Sequence, residues 1–472
     1  MPENNLRQEI PGRVLHLPGV RLASAQRPHL GCFVSLLFTP TAASRMISQP
    51  TPTMASELPD ALAQLDSLPM VGSKDHLKCR CETAFDGLET LRACWDDTVL
   101  RLGGSIYMSY DWCQTWWQFY GQGKELRIFL FTSEDVVVGI LPLYIDSLGW
   151  GPVRFRVARL VGANIPPKTF DPPIDEGMAE RIFDFVLAQL FQDDGCDLLS
   201  FGPVSELHKS TEKLNAMCRA RKDLVAQCRV LSEGVHSVFW LPSTMEEYFD
   251  RLSKSERKKR KYELRLLQKE CDVRVDVLKD PSAAVAEFTR FVDQHTAQWE
   301  AEGKPGHFGA WPKGKEFNHA LVKAQAASGR VRFVQIVADG QVVSNQYVFA
   351  FGDAWFWELP ARLMGRQCER LSLGPAGLIT TIESAIQEGK GRLMGGLGHY
   401  QYKVRLGAKE LPVLRVRALA NRVGSRFRMA LFNALRCLLF YGYHKIWYQR
   451  IQPLLPAALR KPQWWLWLRL DF

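Results

Sequence analysis

Two stretches of this chain, 205 positions apart, repeat one pattern without a gap. Leu126–Thr132 and Val136–Ile145 are apolar, strand-forming runs around the turn Ser133-Glu134-Asp135, which is how a β-hairpin reads in sequence. Val331–Ala338 and Val342–Phe351 do the same around Asp339-Gly340. In register, Leu126-Arg127-Ile128 falls on Val331-Arg332-Phe333, and Glu134-Asp135 falls on Asp339-Gly340. An internal repeat of this kind points to two related lobes. A second tight turn, Gly352-Asp353, extends the later hairpin into a meander whose third strand is Ala354–Leu359. Length agrees, since 472 residues exceed one ordinary core.

Helices flank these strands. Ser243-Thr244-Met245-Glu246 and Ser253-Lys254-Ser255-Glu256 both have capping-box spacing, which predicts consecutive helices over 243–252 and 254–270. After the meander, Gly374-Pro375-Ala376-Gly377 leads into Leu378, Ile379, Ile382, Ala385 and Ile386 at helical spacing, ending at Gly389. Helix, helix, antiparallel strands, helix, strand is an α+β order. The expected organisation is a poorly ordered Pro-, Ser- and Thr-rich leader over 1–75, lobes over 76–240 and 241–420, and a tail over 421–472. The apolar run 30–38 (LGCFVSLLF) begins too far from Met1 for a signal peptide and ends at Pro40, so an upstream start, with Met46, Met54 or Met70 as the true beginning, is the preferred account of the leader.

Hydrophobic residues at 46% and charged residues at 23% exclude global disorder and a polytopic membrane protein. Eleven cysteines without a CxxC, and ten scattered histidines, give neither a disulfide framework nor a zinc site. A reducing cytoplasm fits, and no metal is expected. The net charge of +10 suggests an anionic partner and is concentrated in two places. One is Lys254, Arg257, Lys258, Lys259, Arg260, Lys261 and Arg265, offset by Glu256 and Glu263. This cluster reads first as a solvated helix face and second as a neutraliser of cofactor, tRNA or lipid-linked phosphate. The other is the tail, with nine basic residues against Asp471 over 422–472. On a helical wheel its Arg422, Arg426, Asn433 and Arg436 oppose Phe427, Leu431, Ala434, Leu435 and Leu438. Trp447, Trp464, Trp465 and Trp467 follow. No run reaches the roughly 18 apolar residues that span a bilayer. Such a helix suits an anionic membrane interface, or else packs on the lobes or a partner.

The most informative stretch is 391–407, GRLMGGLGHYQYKVRLG. Its Gly398, four residues before Tyr402-Lys403, resembles the late GxxxYK element of GNAT-type acyltransferases of the cellulose-biosynthesis, Fem-like group. The segment 109–117 (SYDWCQTWW), the basic helix 254–270, Gln298-Trp299 and Ser372-Leu373-Gly374-Pro375 resemble further motifs of that group in the same order, over roughly 95–420. The resemblance implies two GNAT-like lobes, each a mixed, largely antiparallel sheet flanked by helices. It implies transfer of an acyl group from acyl-coenzyme A to an amine, in envelope or exopolysaccharide chemistry. It also gives Lys403 the role of steadying the oxyanion of acyl transfer, on the expectation that Tyr402-Lys403 enters a strand. Tyr402 then protonates the leaving thiolate or packs in the core.

A helix start at Gly374, Ala376 and Gly377, with Arg370 before it, is the candidate pyrophosphate site, although Arg370 lies one residue too far for the GNAT signature. Met394 stands where relatives carry an acid. The nearest substitute base is Glu358, which alternation places opposite Trp355 and Trp357; a salt-bridged strand-end glutamate is the competing outcome. Two alternatives stay open. One is a catalytically inactive interaction component of a membrane polysaccharide machine. The other is an aminoacyl-tRNA-dependent transferase, although binding to nucleic acid is not expected.

Overall fold

The computed structural model describes residues 72–74, 77–149, 151–163, 166, 168–301, 306–309, 311–365 and 370–455. The leader to residue 71 and Trp464, Trp465 and Trp467 lie outside them. The strands are β1 (Gly72–Lys74), β2 (Leu77–Glu82), β3 (Glu125–Ser133), β4 (Val136–Leu148), β5 (Phe155–Leu160), β6 (Leu198–Ser205) and β7 (Val225–Trp240). They continue with β8 (Val273–Leu278), β9 (Val331–Ala338), β10 (Gln341–Phe351), β11 (Ala354–Arg362), β12 (Arg392–Leu397) and β13 (Lys409–Ala420). The first helices are α1 (Arg92–Arg101), α2 (Tyr110–Tyr120), α3 (Ala179–Ala188), α4 (Ser210–Ala220), α5 (Met245–Arg251) and α6 (Lys254–Glu270). Then come α7 (Pro281–Ala301), α8 (Gly306–Gly309), α9 (Gly314–Ala327), α10 (Leu373–Gln387), α11 (Gln401–Arg405) and α12 (Val423–Tyr441).

The predicted repeat is visible in the backbone. Glu134 and Asp135 have φ of 49° and 61°, and Asp339 and Gly340 have 50° and 78°. Two successive positive values make the two-residue turn whose twist suits a hairpin. Both hairpins also carry a bulge at the same offset, at Val138 in β4 and Val343 in β10.

The described strands form one sheet, in the order β1-β2-β3-β4-β5-β6-β13-β7-β12-β11-β10-β9-β8. Its middle is interlocked. β7 runs beside β13 for most of its length, and its end, from His236 to Trp240, also pairs with β12. β13 uses Val413–Leu419 to pair with β6. Each long strand thus completes the half to which it does not belong in sequence. Neither 16-residue β7 nor β8 was expected from the sequence.

Helices cover both faces. α5 and α10 pack over Trp355, Trp357 and Leu393, while α7 and α9 cover the other face with Phe288, Phe291, Phe317 and Leu321. The aromatic motif 109–117 holds the halves together. Trp112, Phe119 and Tyr120 ring Phe317 of α9 at 6.3, 5.9 and 5.2 Å. Ser328 donates to Asp111 at 3.2 Å and Gln325 to Ser109 at 3.1 Å. Both predicted helices form, with Thr244 rather than Ser243 capping the first; its Oγ1 accepts from the Glu247 N–H at 3.2 Å. Thr244 is the last residue with extended backbone, so its side chain is the one that reaches the free N–H groups.

Candidate functional site

Two pairs of parallel neighbours occur in the sheet, and both fork. β5 pairs with β6 only at Val157–Arg159, and β11 pairs with β12 only at Ala354–Phe356. Beyond those points the two strands of each pair are no longer bonded to each other, and main-chain groups facing such a gap can be satisfied by an inserted extended chain. The first fork is closed by the protein itself. Phe170 bridges to Val204, its N–H donating to Pro203 O at 2.8 Å, and Ile174 bridges to Gly139 on β4.

The second fork holds a lysine. Pairing ends at Phe356 with Met394, and Lys403 Nζ donates to the carbonyl of the next residue, Gly395, at 2.6 Å. It also stands 5.3 Å from the ring of Trp357, the next residue on β11, and 4.3 Å from the ring of Tyr400. Lys403 is 4% exposed. Burial brings its ammonium down to about 7, opposed weakly by Glu410. The expected strand at Tyr402-Lys403 is instead the short helix α11, because the chain must turn between β12 and β13; Gly398 and Gly407, both at positive φ, flank it. Tyr402, beside Lys403 on α11, packs into the core, where burial raises its phenol.

Glu358 is the extra residue of a β-bulge in β11, since Trp357 faces Val348 and Leu359 faces Tyr347. Its carboxylate accepts from Tyr107 Oη at 2.6 Å and is ion-paired to Lys168. This is the salt-bridged outcome. Lys403 and Glu358 share no bonding partner, and their partners belong to different elements. Met394 sits at the last paired position of β12 and packs against the apolar core.

The candidate phosphate residues separate. Ala376 and Gly377 are buried, Gly374 is half-buried and Arg370 is exposed. A Cβ on Gly377 would stand 2.4 Å from Gln346 Nε2 and from Ser344 Oγ, so this glycine lets α10 lie close on β10. Ser372, at φ 49°, caps α10 from a left-handed conformation, and its hydroxyl donates to Glu263 at 3.0 Å. Glu263 is paired with Arg260, the one buried member of the basic cluster, which Glu256 also holds at 2.9 Å. Lys254, Lys258, Lys259, Lys261 and Arg265 are exposed, a solvated face. Sequence reasoning missed Lys168, Tyr107 and Arg362, whose guanidinium lies 3.8 Å from where a Gly374 Cβ would stand. Nothing local marks them, because tertiary contact alone brings them here.

Residues 254–404, from α6 to α11, match a family model described as an acetyltransferase (GNAT) domain. The fold is of the GNAT type. Among solved structures, FemX is similar with a TM-score of 0.52 at 8% identity, over 69% of this chain and 95% of that one. The C-terminal domain of a putative lysylphosphatidylglycerol synthetase from Agrobacterium fabrum has a TM-score of 0.41 at 11% identity, over 72% and 94%. A tandem GNAT protein from the clavulanic acid biosynthesis pathway has 0.36 at 12% identity, over 72% and 98%. The likeness to FemX speaks to the fold alone, and the two lower scores carry no weight. No curated protein matches the sequence.

Proposed function

We propose that the protein is an N-acyltransferase that moves an acyl group from acyl-coenzyme A to an amine. The observation that carries this reading is the buried cation in the open fork of a GNAT-type domain, beside a second fork that the chain itself fills. In this reading the amide-bearing arm of the donor lies between β11 and β12 and pairs with their free main-chain groups. The neutral amine attacks the thioester carbonyl, a C–N bond forms, and Lys403 steadies the oxyanion of the tetrahedral intermediate. Collapse breaks the C–S bond, and the thiolate leaves with the proton that the amine gives up. Gly374 and Arg370, with Arg362 beside them, offer the donor's phosphates the outer side of the α10 start, while Ala376 and Gly377 set that helix against the sheet. Glu358, with both oxygens engaged, orients groups on the acceptor side.

The acceptor in this reading is an amino sugar, amino acid or envelope precursor presented at the cytoplasmic face of a membrane. α12 supports that location. It docks through Ser425 and Arg428 on Asp197 and through Phe432, stacked on Phe155 at 5.5 Å. Phe427, Leu431, Leu435 and Leu438 are left 66, 42, 50 and 70% exposed. Residues 422–455 carry six basic side chains and no acidic one. No described helix is long and apolar enough to cross a membrane, so this face suits the interface of anionic phospholipid.

Thermal stabilisation by a panel of coenzyme A thioesters tests the donor, with Lys403→Ala alongside. A donor at a hundred times its Kd adds about 2.7 kcal/mol to the native state. An upshift selective for one acyl chain is expected; no upshift with any thioester, in folded protein, overturns the reading.

A further inference from the structure

A second polar assembly is anchored on β11 from the side of α7. His295, fully buried on α7, places Nδ1 2.8 Å from the carbonyl of Pro360, two residues beyond Glu358 on β11. A carbonyl only accepts, so the proton sits on Nδ1. With Nδ1 donating, Nε2 of the neutral imidazole of His295 is an acceptor. It lies 3.0 Å from Nδ1 of His307 on α8, so His307 donates through Nδ1. Its Nε2 is left with a bare lone pair, and among the described residues no donor is bonded to it. Trp299 fixes the plane of the ring, edge-on at 4.8 Å. His307 is nonetheless open to solvent. The desolvated edge of the ring, packed against His295, and the charge of Lys168 lower its pKa, so it stays unprotonated at neutral pH. Lys168, whose charge acts on His307, in turn bonds Glu358, two residues before Pro360 on β11.

We propose that His307 is the general base of the transfer, with His295 as the residue that positions it; this rests on the acyltransferase reading above. The amine attacks first. The N–H of the resulting tetrahedral adduct, far more acidic than a free ammonium, then passes its proton to Nε2 of His307. That proton leaves with the thiolate as the C–S bond breaks, so amine and thioester become amide and thiol, and the imidazole is restored. A weak base suffices because the proton moves only after the C–N bond has formed. The assignment also gives the site a base where Met394 replaces the acid and Glu358 is held in a salt bridge.

Two measurements decide it. Selective ¹⁵N labelling of histidine needs no substrate: His307 is expected to carry its proton on Nδ1, the tautomer that free histidine disfavours. His295→Phe, which keeps a ring against Phe291, is expected to abolish that preference. A proton on Nε2 of His307 overturns the proposal. The second measurement is thiol release from acetyl-, butyryl- and palmitoyl-coenzyme A with glucosamine, lysine and ethanolamine as amines. With an active pair, His307→Gln is expected to lower kcat by roughly 10²–10⁴-fold with the KM for thioester unchanged and the melting temperature native. His295→Phe is expected to lower kcat in parallel. A kcat for His307→Gln within threefold of the parent removes the base while leaving the transferase reading intact. A parent protein that releases no thiol with any pair removes both, and the labelling then reports only on the proton order.

Discussion

Lys403 is a side chain costly to the fold, and the chemistry proposed for it gives a reason to keep it. Its ionised form is disfavoured by burial, so the folded protein releases the proton near pH 7 and the unfolded chain near 10.5. Below about 7 both states are protonated and the penalty is complete; between 7 and 10.5 the unfolded state holds more protons, so stability rises with pH. Lys403→Met is therefore expected to be more stable than the parent by on the order of a few kcal/mol at pH 6.5. That gap should shrink by pH 9.5 in urea titrations, while transfer is lost. If the ammonium holds the oxyanion, kcat of the parent should fall as pH climbs through about 7. Gly377 is the opposite case, a residue whose worth is its lack of a side chain. Gly377→Ala forces a methyl onto the Ser344–Gln346–Trp357 hydrogen-bonded group and is expected to cost about 1–3 kcal/mol, read as a lower denaturant midpoint.

At the scale of elements, α12 has a docked surface and an exposed apolar one. The residues that dock it are Ser425, Arg428, Met429 and Phe432, not the apolar row that a helical wheel brings together. Replacing two members of the free row, Leu435→Glu with Leu438→Glu, is expected to leave the melting temperature within about a degree, as surface changes usually do. Sedimentation with phosphatidylglycerol vesicles should fall severalfold. Unchanged sedimentation would return α12 to a protein partner. The hairpin elements were fully legible, because two positive-φ residues and an apolar alternation are local properties. β7 was not legible: apart from Val225 and Gly234 only His236–Phe239 is buried, and its Arg229, Ser232 and Glu233 read as loop. Its stability comes from two flanking strands.

The whole molecule is interlocked through β7 and β13, and this has a measurable consequence. A fragment starting at residue 241 lacks the strand that lies between β12 and β13. It is expected to stay unfolded, while residues 72–472 melt in one calorimetric transition whose van't Hoff and calorimetric enthalpies agree. Two separate transitions would show that the lobes hold on their own. By itself the sequence determined the two hairpins and their turns, the capped helices α5 and α6, the start of α10 and the amphipathic tail. Each of these rests on residues within a few positions of one another, where φ preference, capping and periodicity act. It also singled out Lys403, through a short motif. Only the tertiary structure decided that this lysine sits where β11 and β12 part, that Glu358 is spent on Lys168, and that His295 holds His307 by one ring nitrogen. Those facts depend on residues tens to hundreds of positions apart, such as Tyr107, Lys168, His295 and Glu358, whose meeting is set by strand order and burial and leaves no local trace.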